Sequence, residues 1–124
     1  KHLRIHWNEG EKHFKNCLVD YNEASNVAQW QWVAGCGADA APYFRIFNPI
    51  LQGEKFDKDG IYTKKWVPEL KNMPNKFLYK PWELESKYQE QIKVVVGVDY
   101  PNPIVDHAEA RNAALEAFKT IKKN

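Results

Sequence analysis

Apolar residues near the start of the chain repeat at the spacing of a helix. They stand at intervals of three and four residues: Phe14, Cys17 and Leu18. Just upstream, Asn8 and Glu11 have the spacing of a capping box, in which the first residue caps a helix and the second reaches back to it. The pattern therefore predicts a helix over residues 8–19.

A second helical pattern follows after a short polar turn. Apolar and small residues continue at spacings of three and four over residues 23–33, and Gly35 supplies a stop. The turn between the two patterns consists of Asp20, Tyr21 and Asn22. Because acids and amides favour turns and helix starts, the sequence predicts two consecutive helices joined at these residues.

Proline divides the middle of the chain into short elements. Residues 38–49 are dense in proline and aromatic side chains, which suits a packed, irregular connection. Two short helices are predicted over residues 50–56 and 60–70, with a turn at residues 57–60 between them. Further prolines punctuate the remainder: Pro68, Pro74, Pro81, Pro101 and Pro103.

The last third of the chain contains one β-like run and one clear helix. The run is three valines at residues 94–96, and without a partner strand it is weak evidence for a sheet. Asp106 and Glu109 have capping-box spacing. The apolar residues after them predict a terminal amphipathic helix: Ala114, Leu115, Phe118 and Ile121. The predicted fold class is all-α with long ordered loops.

Composition narrows the class of protein only a little. The 124 residues suffice for one domain or a piece of one, and because residues 1–7 read like the end of a helix, we expect a fragment of a longer chain. A net charge of +2 does not by itself indicate a nucleic-acid partner. The two cysteines lack metal or disulfide spacing and indicate a reducing, cytoplasmic environment. No apolar run approaches the roughly 18 residues of a membrane helix.

The most unusual aromatic pattern lies in the second predicted helix. At about 100° per residue, Asn26 and Trp30 share one face of this helix, whereas Trp32 points roughly the opposite way. An amide and an indole would then border one pocket, and a second indole would border another surface. The alternative is that both indoles only pack in the core.

Several ordered motifs, which together cover nearly the whole chain, resemble those of a known family. They are Trp-Gln-Trp-Val-Ala-Gly at residues 30–35, Ala-Pro-Tyr-Phe-Arg-Ile-Phe-Asn-Pro at 41–49, Gln-Gly-Glu-Lys-Phe-Asp at 52–57, Trp-Val-Pro-Glu-Leu at 66–70, Lys-Pro-Trp at 80–82 and Tyr-Pro-Asn-Pro-Ile-Val-Asp at 100–106. In these motifs the chain resembles the C-terminal half of the FAD-binding domain of class I cyclobutane pyrimidine dimer photolyases.

The resemblance implies a function in DNA repair. Residues 1–124 would form part of an FAD-binding domain, with an antenna domain, its chromophore and the region that holds the FAD phosphates in a missing N-terminal part of the parent chain. A deoxyribodipyrimidine photo-lyase of this kind uses light to pass an electron from reduced FAD to a pyrimidine dimer flipped out of DNA. We expect negligible repair from this chain alone.

Two other functions stay open from the sequence. A blue-light receptor of the related cryptochrome group shares the implied fold and flavin, although Asn26 and the Trp30–Trp32 pair favour repair. A helical DNA-binding module without flavin chemistry is the third possibility, and the mild net charge supports it poorly.

The resemblance also implies roles for individual aromatic and basic residues. Trp30 corresponds to the tryptophan beside the flavin in the chain of indoles that reduces it, and Trp7 corresponds to the middle member. Burial at a helix start is the alternative role of Trp7. Trp32 corresponds to the tryptophan that packs against the flipped pyrimidines. Arg45 would contact DNA phosphate, with an internal ion pair as its alternative.

Polar contacts to the flavin are implied at the start of the second helix. Asn26 corresponds to the asparagine at the N5 edge of the flavin ring. Asp20, Tyr21 and Asn22 fall where the family has Asp-x-Asp against the polar edge and ribityl region. Asn22 departs from that pattern because an amide replaces an acid, and helix capping is its alternative role.

Metal chemistry is poorly supported by the sequence. His2 and His6 have the i, i+4 spacing of a metal-binding pair, but no third ligand stands near them. Residues 57–60 resemble the start of a calcium loop and lack its remaining ligands. We therefore expect no metal.

Overall fold

The architecture was obtained as a computed structural model, which describes residues 1–38 and 44–122. Its α-helices are α1 Trp7–Cys17, α2 Glu23–Ala34, α3 Pro49–Phe56, α4 Ile61–Trp66, α5 Ser86–Ile92 and α6 His107–Lys122. Single 3-10 turns lie at Pro68–Leu70, Asn75–Phe77 and Pro81–Glu83. The all-α prediction is confirmed, because the one β feature in the described residues is an isolated bridge between Val96 and Tyr100. Much of the predicted irregular connection, including motif residues 41–43, lies outside them.

The chain forms two compact units. The first comprises Lys1–Ile46 with Val105–Asn124 and contains α1, α2 and α6; the second comprises Phe47–Ile104 and contains α3, α4 and α5. The buried apolar core of the second unit consists of Leu70, Met73, Leu78, Leu84 and Val94. The predicted candidate residues all lie in the first unit.

Helix α1 begins one residue before its predicted start. Its N-cap is His6, whose ring nitrogen accepts a hydrogen bond from the backbone N–H of Asn8 at 3.2 Å. The predicted capping role of Asn8 is therefore wrong, because an imidazole two positions earlier performs it. Residues 1–6 are not helical, and the interpretation of the first seven residues as a helix tail is also wrong.

Helix α2 begins where the sequence predicts and ends one residue later, at Ala34. The side-chain oxygen of Asn22 accepts from the N–H of Ser25 at 3.0 Å, so the alternative role of Asn22 as an N-cap is present in the structure. The helix ends at Gly35, which has φ of +77°, a conformation that costs glycine least. These two signals fix the two ends of α2.

Helix α6 is the last helix of the first unit and is amphipathic. Asp106 Oδ1 accepts from the N–H of Glu109 at 2.9 Å, which is the capping contact that the spacing predicts. On its inner face Ala114 is buried, and the Phe118 ring stacks on Phe44 with centroids 4.2 Å apart. Ala114 and Phe118 of the predicted apolar face therefore pack within the unit, whereas Ile121 of the same face is 70% exposed.

In the second unit, the predicted helix over residues 60–70 is wrong in its length. Helix α4 ends at Trp66, and a separate 3-10 turn starts at Pro68. The residue before a proline is pushed out of the α region, and Val67 accordingly has φ of −122° and ψ of 75°. Proline therefore overrides the helical periodicity at this point.

Candidate functional site

A groove of about 620 Å³ lies along one face of α2, facing α1 and the turn between the two helices. Its apolar lining is Phe14, Leu18, Trp30 and Val33. Its polar lining is Asp20, Asn22, Ser25, Asn26 and Gln29. The volume falls within the range of about 300–1,000 Å³ that is usual for small-molecule sites.

Asn26 is held in a fixed orientation between the two helices. It is 7% exposed, and its Nδ2 donates to the backbone carbonyl of Glu11 in α1 at 3.1 Å. Because one amide hydrogen is used in this bond, the carbonyl oxygen and the second hydrogen are the groups that Asn26 offers to the groove. A buried amide positioned in this way presents a preorganised hydrogen-bonding edge.

Trp30 forms the aromatic wall of the same groove. Its indole covers Gly10 of α1 so closely that a β-carbon at that position would overlap three atoms of the ring. It also meets Phe14 edge to face, with ring centroids 5.1 Å apart and an angle of 77° between the planes. The indole therefore has little freedom to move in the helix pair.

A second groove, of about 400 Å³, lies on the other side of Trp30. Trp7 and Trp30 both line it, together with residues of the N-terminal segment and of α6. The Trp7 ring also stacks on His6, with centroids 5.6 Å apart. Trp30 thus borders both grooves, whereas Trp7 borders only the second one, so the structure brings the two indoles to one cavity.

The turn residues divide between the groove and the interior. Asp20 and Asn22 line the first groove, but Tyr21 does not. The Tyr21 hydroxyl is buried and has no hydrogen-bond partner in the described part of the chain. Since an unpaired buried hydroxyl costs about 1–3 kcal/mol, its partner is expected from outside these residues, such as a water molecule.

Besides Tyr21, two predicted residues lie outside both grooves, Trp32 and Arg45. Trp32 points away from Trp30, as the helical spacing indicates, and is 37% exposed. Arg45 is exposed, and its backbone carbonyl accepts a hydrogen bond from Lys1 Nζ at 2.7 Å. The pKa of Lys1 is lowered, first by burial of its ammonium and then by the charge of Arg45. The two cations therefore lie close enough to affect each other.

Sequence reasoning missed two polar residues of the first groove, Ser25 and Gln29. Both stand on the face of α2 that begins at Asn22 and continues through Asn26, so helical spacing could have identified them.

The described residues contain no group of three or more potential metal ligands. No helix among them is long and apolar enough to span a membrane.

Comparison with known proteins identifies the family. Residues 1–120 match the family described as the FAD binding domain of DNA photolyase. The chain is 55% identical over 99% of its length to a deoxyribodipyrimidine photo-lyase of Agrobacterium fabrum, of which it covers 26%. This chain therefore belongs to the photolyase FAD-binding domain family, and it spans about a quarter of the length of that relative.

Solved structures agree with the family assignment. A crystal structure of a bacterial class III photolyase from Agrobacterium tumefaciens is 55% identical, matches 100% of this chain and 26% of its own, and gives a TM-score of 0.91. A cryptochrome from Synechocystis sp. is 40% identical over 94% of this chain and 24% of its own, with a TM-score of 0.86. The resemblance to class I in particular stays a prediction.

The first groove offers hydrogen-bonding groups that suit FAD, the cofactor of this family. One border offers carboxylate and carboxamide groups, which suit the hydrogen-bonding edge of a flavin ring and its ribityl hydroxyls. The other border offers Phe14 and Trp30, which suit the flat apolar part of such a ring. The chemistry of the lining and the size of the groove are both compatible with a flavin.

Proposed function

We propose that this chain provides flavin-facing and lesion-facing surfaces of a light-driven deoxyribodipyrimidine photo-lyase that acts in the cytoplasm. Reduced FAD, when bound and excited, would supply the electron that splits a cyclobutane pyrimidine dimer. The observation that carries the proposal is the convergence of Asp20, Asn22, Asn26 and Trp30 on one groove. In this proposal residues 1–124 form part of the FAD-binding domain, and the rest of the parent chain and damaged DNA are its partners.

The polar residues of the groove would orient the flavin. Asn26, held by the Glu11 carbonyl, would meet the N5 edge with its free amide groups. Asp20 would accept hydrogen bonds from the polar edge or the ribityl chain. Asn22 caps α2 with its side-chain oxygen, so its contribution would come from the amide nitrogen or the backbone. Tyr21 would contribute through its backbone, because its side chain does not line the groove.

Trp30 and Trp7 would carry electrons towards the flavin. Both indoles border the second groove, and Trp30 also borders the first one. An electron could therefore pass from Trp7 to Trp30 and on to a ring in the first groove without leaving this unit. The close packing of Trp30 on Gly10 and Phe14 would keep the distances between these rings constant.

Trp32 and Arg45 would serve the DNA side. A partly exposed indole can stack on a flipped pyrimidine, a type of contact worth about 1–3 kcal/mol per base. An exposed arginine can bind backbone phosphate. Because Trp32 leaves α2 on the side opposite Trp30, one helix would present one indole to the flavin and the other to a second surface.

Flavin titration tests the groove directly. We expect the chain to quench FAD fluorescence saturably, and Asp20→Asn to weaken the affinity about three- to tenfold, because a charged acceptor is lost. Asp59→Asn is the matched control, since it makes the same chemical change on an exposed turn of the second unit. Equal effects of the two variants would contradict the assigned groove, whereas absence of saturable quenching would place the affinity for FAD in the missing N-terminal part of the parent chain.

Photoreduction of bound FAD tests the relay. We expect Trp7→Phe and Trp30→Phe each to slow the light-driven loss of oxidised-flavin absorbance in the presence of an external reductant, because phenylalanine is much harder to oxidise than tryptophan. Trp82→Phe, in the second unit, should leave the rate unchanged. A rate that is the same in all three variants would exclude the relay.

The cryptochrome alternative retains one supporting observation, the likeness to the Synechocystis sp. structure. Binding to duplex DNA with and without one cyclobutane thymine dimer separates the two functions. A photolyase surface should prefer the dimer-containing duplex, and Trp32→Ala should abolish the preference while Trp66→Ala retains it. No preference in the native chain would favour the receptor.

A further inference from the structure

A third concave surface, in the second unit, is not used by the proposed function. It is a polar cavity of about 430 Å³ that shares no residue with the two grooves described above. Its lining consists of Glu54, Lys58, Asn75, Lys76, Tyr79 and Lys80. Three lysines and one glutamate therefore line a single cavity, although the second unit as a whole is close to neutral.

The positive charge of this cavity is only partly neutralised within the protein. Lys80 Nζ lies 3.8 Å from Glu54 and 3.5 Å from Glu83, so its charge is shared between two carboxylates. Lys58 and Lys76 form no ion pair with any residue that the structure describes, and Lys76 Nζ lies 5.3 Å from the ring centroid of its neighbour Phe77 in a cation–π contact that leaves its charge unneutralised. Their two charges are thus available to a ligand.

Nearby acids do not supply the missing negative charge. The Asp57 carboxylate accepts from the backbone N–H groups of Tyr62 and Thr63, at 3.2 and 2.9 Å, and from the Tyr79 hydroxyl at 2.7 Å. It is therefore satisfied within the turn and does not line the cavity. Asp59 does not line it either.

We infer that the cavity binds phosphate groups of a polynucleotide backbone. Lysine is a flexible point charge with three donors and commonly binds phosphate, and the Asn75 amide adds a neutral polar group. The cavity is also large enough to take a phosphodiester with part of its sugar. The choice of a polynucleotide over a free anion rests on the proposed function, since a repair enzyme must hold DNA beyond the lesion itself.

The salt dependence of DNA binding tests this inference. Binding of the 124-residue chain to a lesion-free fluorescent duplex would be measured by anisotropy from about 50 to about 200 mM KCl. We expect the double variant Lys58→Gln/Lys76→Gln to bind the duplex about tenfold more weakly at the lowest KCl concentration. The slope of log affinity against log salt should fall in magnitude by about 0.9 for each phosphate that the variant no longer neutralises. Lys71→Gln/Lys87→Gln, with the same change in net charge, is the control.

A variant that is expected to strengthen DNA binding, and not to weaken it, keeps the test independent of folding. Glu54→Gln removes the one carboxylate of the cavity and should strengthen binding to the same duplex. Equal weakening by the two double variants, no change in slope, or no binding to the duplex by the native chain would each overturn the inference. The flavin and lesion-preference measurements use other residues, so they can succeed where this one fails.

Two further probes identify the source of the anion. Inorganic phosphate should displace the duplex from the native chain more effectively than from the Lys58→Gln/Lys76→Gln variant, because both ligands share phosphate chemistry. If inorganic phosphate itself binds tightly at low millimolar concentration or below, the cavity is a free-phosphate site and the backbone assignment is wrong. If poly-glutamate binds more tightly than the duplex through the same lysines, the partner is an acidic peptide and the inference is also wrong.

Discussion

Individual residues in the first unit combine structural and candidate functional roles. Asn26 bonds α1 through one side of its amide and faces the groove with the other, and Trp30 covers Gly10 while it borders two grooves. The sequence places Asn26 and Trp30 on one helix face from spacing alone. It could not reveal Gly10 as the neighbour of Trp30, because that packing depends on how α1 and α2 cross.

Gly10→Ala tests how tightly Trp30 is held. In an exposed helix this change stabilises a protein by about 0.5–1 kcal/mol, because alanine has the higher helix propensity. Here the new β-carbon would overlap the Trp30 ring, so we expect the free energy of unfolding to fall by about 1–3 kcal/mol instead. Urea denaturation measures the sign of this change in the free energy of unfolding. A gain in stability would show that the ring moves aside freely.

The Asp57 turn provides a pH test. The pKa of Asp57 is lowered from 3.8 to about 2, first by the hydrogen bond from Tyr79 and then by bonds from Thr63 and Tyr62, against an opposing contribution from burial. Because the folded pKa lies below the unfolded one, Asp57 stabilises the fold above about pH 4, and this contribution is lost as the pH falls from 3.8 through 2.

Tyr79→Phe removes the largest of these causes. We expect an NMR titration of the Asp57 carboxyl to show its pKa rising towards the ordinary value, and the decline of Tm between about pH 4 and pH 2 to become shallower. Tyr62→Phe is the control, since Asp57 contacts only the backbone of Tyr62. An unchanged Asp57 pKa in Tyr79→Phe would contradict this assignment.

At the scale of elements, local signals in the sequence predicted where helices exist better than where they begin. Helix α2 follows its prediction because Asn22 and Gly35 are strong local stops. Helix α1 does not, because His6 took the capping position, and imidazole is not among the usual capping groups. The N-terminal segment is not the predicted helix tail, because it is held by long-range hydrogen bonds, one between the rings of His2 and His107 and one from Lys1 Nζ to the Arg45 carbonyl.

This histidine pair gives the packing of the segment on α6 a pH dependence. His2 Nε2 and His107 Nδ1 are 2.8 Å apart, a hydrogen bond that requires one unprotonated nitrogen. The pKa of His2 is lowered from 6.5, first by burial and then by the charge of His107. The neutral ring of His2 is thus the stabilised form, so its contribution to stability is present above pH 6.5 and is lost as the pH falls through the lowered pKa of His2.

We therefore expect residues 1–6 to separate from α6 in mild acid. Amide hydrogen exchange of this segment should rise as the pH falls through the lowered pKa of His2, after correction for the intrinsic pH dependence of exchange. His107→Gln should remove the additional rise, whereas His13→Gln, on the exposed surface of α1, should retain it. Protection that is independent of the His2 titration would contradict this role of the pair.

At the scale of the whole molecule, the all-α fold and the family were both within reach of the sequence. Ordered motifs carry information along the entire chain, so they identify the family even where single elements are misplaced. The division into two compact units was not predicted, because proline-rich connections give no sign of which segments pack together. The lysine cavity was missed for the same reason, since Lys58 is far in sequence from Lys76 and Lys80.

The amount of exposed apolar surface leads to the last prediction. Many large apolar side chains are exposed, among them Val19, Phe56, Ile61, Trp66, Val98, Ile104 and Ile121. Soluble monomers seldom leave contiguous apolar patches uncovered. In α4, Ile61 is 75% and Trp66 63% exposed on a helix of six residues, which cannot be stable by itself. We therefore expect the 124-residue chain to associate with itself or with another partner.

Sedimentation velocity at increasing protein concentration should show this association as a rising weight-average mass. Ile61→Gln should shift the rise to higher concentration, because it removes apolar surface from an exposed site and leaves the buried core unchanged. Thr120→Gln, on the exposed face of α6, adds comparable polar bulk and should have no effect. A monomer at all concentrations that melts in one two-state transition would refute the prediction, because it would show that the chain tolerates this surface in water.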